Sequence, residues 1–232
     1  MARKAALGTV RSTLIGAVGS SLNLFATVES FCKRTYGGMH DEPLYPSQAR
    51  RVVGLAFLAS LAAWEEYVEA VFVRYLAGAS APSGYTPTPR GGTAVGIDHS
   101  YELITGSLGF DPDTSILSWS SPNRVIERSE IFFYQGQPFK GAIGKWNKQL
   151  QDASKIRNRV AHASSKCRSE FKSVALQHLG RDPKAKLSQG FSAGDLLLDT
   201  GQRGFPASNP AITYFEAYMN MFLDLADRLT PE

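Results

Sequence analysis

An all-α fold is what this 232-residue chain predicts. Long apolar stripes recur at three- and four-residue steps, no segment alternates apolar and polar residues as a half-buried strand does, and clusters of glycine and proline separate the stripes. From Val10, the residues Leu14, Val18, Leu22, Phe25, Val28 and Cys32 form the first stripe, whose helix should stop before Gly37-Gly38. A second stripe follows Pro46 through Val53, Phe57, Leu61, Trp64, Val68, Val71 and Tyr75 and ends near Gly78. Between Ala79 and Gly96, the run of Pro82, Gly84, Pro87, Pro89, Gly91 and Gly92 cannot continue a helix and reads as a mobile loop.

Tyr101 to Leu108 reads as a short helix, Ser121-Pro122 as a helix start, and Ile131 to Tyr134 as an apolar run of undecided type. After Gly141 the spacing of Trp146, Leu150, Ala153, Ile156 and Val160 predicts one strong helix, followed by a shorter one from Glu170 to Leu179. Gly180 to Pro210 reads as an irregular excursion in which Asp195 to Leu198 forms at most a turn. Ile212, Phe215, Met219, Phe222, Leu225 and Leu229 define the last helix. With no internal repeat, the economical architecture is a single helical domain over residues 1–232, a bundle with two long loop insertions.

Composition is that of an ordinary globular protein. The net charge of +4 and a pI near 9.1 favour a polyanionic partner only where the charges cluster. Cys32 and Cys167 stand far apart without metal-ligand spacing, so neither a disulfide framework nor a zinc site is indicated and a reducing cytoplasm is the expected setting. Arg11, Ser12, Ser20, Ser21 and Asn23 interrupt the apolar residues near the N-terminus. The expectation is therefore no signal peptide, no stretch able to span a bilayer and no membrane partner.

The residues that carry chemistry are Arg157-Asn158-Arg159-Val160-Ala161-His162. On an ideal helix Asn158 and His162 share a face, whereas Arg157 and His162 lie about 140° apart around the axis. Arg157 must bend round to the histidine, or the helix must loosen, and either makes a polar notch beside the apolar stripe. Such a notch suits attack of an RNA 2′-hydroxyl on the adjacent phosphate. His162 serves as base or acid near neutral pH, and Arg157 holds the charge that develops on the phosphate. Asn158 orients the imidazole or contacts the phosphate. The scheme calls for no metal and no other cofactor. It does need a second proton-transfer group, and a symmetric dimer that brings two copies of the segment together supplies one.

The segment resembles the Arg-Asn-x-x-x-His signature of the HEPN superfamily, and the upstream Trp64-Glu65-Glu66-Tyr67 resembles the second helix of HEPN proteins of the RiboL-PSP type. The resemblance covers about Val53 to Tyr75 and Trp146 to His162. It implies a helical bundle that dimerises through the motif face, and an endoribonuclease used as a bacterial toxin or antiviral effector under the control of a cognate antitoxin or regulatory protein. It makes Arg157 and His162 catalytic and Asn158 supporting. One variant of the family has a modifiable Tyr two positions after the histidine, where this chain has Ser164.

Glu65 flanks the stripe of Leu61, Trp64 and Val68 and is a second supporting candidate, able to pair with Arg157 or orient His162 if it lies nearby. Lys155, Arg159, Lys166 and Arg168 surround the motif with positive charge suited to an RNA backbone. The plainer alternatives are a helix C-terminus capped by cations, or a non-catalytic HEPN module that binds nucleic acid or protein. Gly91 to Gly96 lacks the strand and the Lys-Ser/Thr ending of a phosphate loop. His40, His99 and His178 have no paired ligand nearby in sequence, and Cys167 reads as a plain thiol.

Overall fold

A computed structural model describes residues 6–36, 44–201 and 203–232. Arg3, Lys4, the Gly37-Gly38 stop, His40 and the side chain of Cys32 lie outside the described residues. Among those described there are nine α-helices, one 3-10 turn at Tyr134–Gly136 and a single isolated β-bridge, so the fold is all-α. The helices are α1 (Leu7–Tyr36), α2 (Pro46–Leu76), α3 (Ile97–Thr105), α4 (Pro122–Phe132), α5 (Phe139–Lys145), α6 (Asn147–Ala161), α7 (Ser165–His178), α8 (Ala193–Leu198) and α9 (Tyr214–Leu229). The chain divides into two compact units. Residues 1–16, 63–150 and 222–232 form the first, and residues 17–62 and 151–221 the second.

The first unit is organised by aromatic packing. Phe72 of α2 is fully buried, its ring centroid 4.8 Å from that of Phe139 and 5.1 Å from those of Trp119 and Phe133. Removing each such ring from water contributes about 1.5–3 kcal/mol, so the cluster is a substantial source of the unit's cohesion. Two buried tyrosines satisfy their hydroxyls at the end of α9: Tyr75 Oη donates to the Leu229 carbonyl (2.6 Å), and Tyr67 Oη shares a proton with Thr230 Oγ1 (2.7 Å). Burial pushes the Tyr67 and Tyr75 phenols well above their ordinary range.

The Ala79 to Gly96 segment contains no helix, yet it is tied down along its length. The N–H of Arg90 donates to Phe132 O, that of Tyr134 to Thr88 O, and that of Ala94 to Leu76 O, each at 2.9 Å, around a bridge between Pro89 and Phe133. The apolar run at Ile131 to Tyr134 owes its mixed character to this contact: it ends α4 and then lends its backbone to the loop. α4 begins as its sequence requires, with Pro122 in the first turn and Ser121 Oγ accepting from the Arg124 N–H.

The strong helix expected from Gly141 onward is two helices. Trp146 leaves helical geometry (φ −111°, ψ 15°), and its N–H donates to Ile143 O, three residues back instead of four. Its indole Nε1 is held by Asp224 (2.6 Å), a carboxylate that also accepts from Arg228 Nε (2.7 Å). A tertiary hydrogen bond at Trp146 thus overrides the continuous periodicity of the sequence, and α6 starts afresh at Asn147.

The expectation that no stretch could span a bilayer is corrected. Leu7–Phe31 is helical, with a mean hydropathy of 1.3, and is long and apolar enough by length and composition. The scattered polar residues are too few to lower the average, and 28% of that window is buried within the protein. Leu7, Leu14, Val18, Phe25 and Val28 form its buried stripe. Arg11 is not a loose interruption of the stripe: its guanidinium pairs with Asp227 (2.5 Å) and with Glu232.

In the second unit, Phe25 stacks on Phe215 (4.8 Å between centroids) and Phe57 meets Tyr218 edge-on (5.1 Å). Buried Ser60 donates to Ser21 (2.8 Å), satisfying both hydroxyls between α1 and α2. The turn expected at Asp195 to Leu198 is α8, opened by a capping box in which Ser192 and Asp195 each accept from the other's backbone N–H. The other described residues from Gly180 to Pro210 are irregular, as the composition predicts.

Candidate functional site

α6 anchors itself through Ala153 and Ile156, both fully buried, and carries Arg157, Asn158 and Arg159 toward its C-terminal end. His162 is the first residue beyond the helix and is exposed, yet its N–H still donates to Asn158 O (2.9 Å), which keeps it on the helical path. Asn158 and His162 therefore follow one face, as the four-residue spacing requires. Arg157 and Asn158 are half-buried. Arg159 turns back toward the helix end, its Nη1 donating to His162 O at 3.5 Å, the place where a cation complements the C-terminal carbonyls.

Only Ala163 separates His162 from Ser164, which caps α7 by accepting from the Cys167 N–H (3.2 Å). The histidine thus sits in the tight link between two helices, open to solvent and framed on both sides. Cys167 carries a free thiol.

The surrounding cations differ in how committed they are. Lys155 Nζ lies 3.7 Å from Asp152, a carboxylate only 2% exposed, so part of its charge is spent inside the unit. Lys166 lies 4.0 Å from Glu170 and is 83% exposed, a contact of little energetic weight. Arg168 is exposed on the next turn. Glu65 is half-buried on the part of α2 that belongs to the first unit, whereas Arg157 to His162 belong to the second. Among the described residues, no group of three or more His, Cys, Asp or Glu side chains is placed to hold a metal ion.

Two constellations were not singled out in the sequence. One is the buried pair of Asp152 on α6 and His178 at the end of α7, each 2% exposed, with Nε2 3.7 Å from the carboxylate. His178 Nδ1 bonds Arg203 O (3.0 Å), Tyr218 Oη approaches Nε2 (3.4 Å), and Tyr214 Oη donates to His178 O (2.8 Å). Burial, with the nearby Asp152 charge, drives the Tyr218 phenol well above its ordinary range. A sequence signal did exist: Phe171, Val174, Ala175 and His178 share one helical stripe, so His178 had to point inward.

The other is a cleft of about 350 Å³ where the start of α2, the end of α6 and the residues before α8 converge, lined by Arg50, Arg51 and Arg159 among others. Neither Arg50 nor Arg51 stood out, because charges at a helix start ordinarily face solvent.

No protein-family model, curated protein or solved structure matches this chain.

Proposed function

We propose that the protein is a metal-independent endoribonuclease of the HEPN kind, a toxin or antiviral effector whose active site is completed by a second copy of the chain. The observation that carries this reading is the end of α6, where a half-buried Arg157 and Asn158 precede an exposed His162 held to the helix by its own N–H. An exposed imidazole is open to a substrate, and histidine is the side chain suited to proton transfer near neutral pH.

In the reaction, the 2′-hydroxyl oxygen forms a bond to phosphorus as the bond from phosphorus to the 5′-oxygen breaks. One imidazole takes the hydroxyl proton, a second protonates the departing oxygen, and guanidinium groups hold the charge on the non-bridging oxygens. One chain supplies a single His162, so two copies facing each other across a two-fold axis supply the acid and the base. RNA is the substrate, and a cognate protein that masks the segment restrains the activity.

Purified protein incubated with cellular RNA in the presence of a chelator tests the reading. Cleavage by the wild type and intact RNA with Arg157→Ala support it. Intact RNA with both, or equal cleavage by both, sinks it, and RNA affinity without cleavage points to the binding-module alternative.

A further inference from the structure

The cleft beside the motif helix is built by close approach of backbone. A Cβ on Gly194, in the first turn of α8, would clash with the Arg50 carbonyl oxygen, so only glycine lets the start of α8 seat against α2. A Cβ on Gly54 would meet Val160 at 3.4 Å, which brings the end of α6 to the same stretch of α2. Around these contacts stand Ser47, Arg50, Arg51, Arg159 and Ser192.

The electrostatics of this place are one-sided. Three guanidinium groups line the cleft, and the carboxylate recorded against them is Asp195, which takes Arg50 Nε at 2.6 Å. That bond orients Arg50 and leaves its terminal nitrogens for another acceptor. Arg51 is exposed and pairs with no carboxylate among the described residues. Arg159 spends one long hydrogen bond on His162 O. Like charges gathered in a cleft are stabilised by an anion, and planar guanidinium forks match phosphate oxygens in particular. The Ser47 hydroxyl, in the first turn of α2, adds a neutral donor.

We infer that this cleft holds a backbone phosphate of a bound RNA strand, a nucleotide or more away from the one cleaved, with Arg51 and Arg159 as its principal ligands and Arg50 oriented by Asp195 as the third. The inference rests on the proposed RNA substrate and adds where the strand runs. Arg159 joins the two places: it lines the cleft and contacts the carbonyl of His162. A strand gripped there passes the end of α6. The volume is near the lower end of the usual range for ligand pockets, ~300–1,000 Å³, and suits a phosphate with its sugar better than a large cofactor.

The test uses a short fluorescent RNA with 2′-O-methyl riboses, which 2′-hydroxyl attack cannot cut, and reads anisotropy against the full chain over a range of salt. Arg51→Gln and Arg159→Gln should each weaken binding about tenfold at low salt, the loss expected for a charged hydrogen bond. Each should also flatten the salt dependence by roughly 0.7 in log-log slope, the value for one phosphate contact on a single strand. Lys184→Gln, an exposed cation outside the cleft, should change affinity less than twofold. Ser47→Phe fills the cleft without removing a charge and should weaken binding as much as Arg51→Gln. Wild-type binding that Arg51→Gln and Ser47→Phe leave unchanged overturns the cleft and leaves the ribonuclease reading standing. Absence of wild-type binding also overturns the cleft, and cleavage of unmodified RNA by the same preparation then decides whether the ribonuclease reading falls with it.

Discussion

Two histidine settings adjoin α6, one packed against its Asp152 from the end of α7 and one just beyond its last turn, and they are opposites. Asp152 and His178 are enclosed, 2% exposed each, with the imidazole's two nitrogens directed at a carboxylate and a main-chain carbonyl. His162 stands in solvent beyond the last turn, tied to the helix by its backbone. A buried pair of this kind fixes one helix against another, because moving either partner disrupts a polar contact held in a buried network. An exposed imidazole fixes nothing and stays accessible to a substrate. The same residue type therefore builds the frame at the end of α7 and stands accessible to a substrate beyond the end of α6.

Substitutions separate the two roles. The largest effect belongs to His162→Ala: cleavage of RNA should fall by about 10²–10⁴-fold, the usual scale for loss of a general acid or base, while the urea midpoint stays unchanged. Asp152→Ala should do the reverse in kind, lowering unfolding free energy by about 3 kcal/mol in urea titration by stranding a buried polar network. A stability change under 1 kcal/mol would show that the pair is not a structural anchor. Ser164→Ala removes the α7 cap beside His162 and should cost about 1 kcal/mol, with Ser164→Asp restoring it.

The smallest effect sharpens the contrast from the acid side. Asp224 is partly exposed, and burial alone would raise its pKa, but hydrogen bonds from Arg228, Trp146 and Lys145 outweigh it and hold the carboxyl at about 2, against an ordinary 3.8. Because the folded pKa is depressed, its contribution is complete above pH 4 and disappears as pH falls toward 2. Solvent screening keeps that contribution small. Asp224→Asn should lower the melting temperature slightly at pH 7, with the difference from wild type closing across that acid window.

How much of this was written in the sequence depends on how local the cause is. α1, α2 and α9 were legible because burial of one stripe repeats every three to four residues, and α4 because Ser121-Pro122 is a self-contained start signal. The break at Trp146 was not, since its partner Asp224 lies 78 residues away. Nor was the anchoring of the Ala79 to Gly96 loop, which uses main-chain atoms that carry no residue code. At the site, the placement of Asn158 and His162 at the end of a helix followed directly from spacing. The Asp152 to His178 contact and the arginine cleft arise from packing between segments, and Gly54 and Gly194 declare their purpose only once α2, α6 and α8 are placed. Lys155 looked like an RNA contact by charge alone, and the buried Asp152 beside it shows that part of that charge serves the fold.

The chemistry of the cut end is the most direct test of the account. A defined RNA incubated with the wild-type protein in chelator should yield fragments ending in a 2′,3′-cyclic phosphate with 5′-hydroxyl partners, formed at least about a hundredfold more slowly by His162→Ala. Fragments bearing 5′-phosphates, or the same cyclic ends formed by His162→Ala at the wild-type rate, would contradict it.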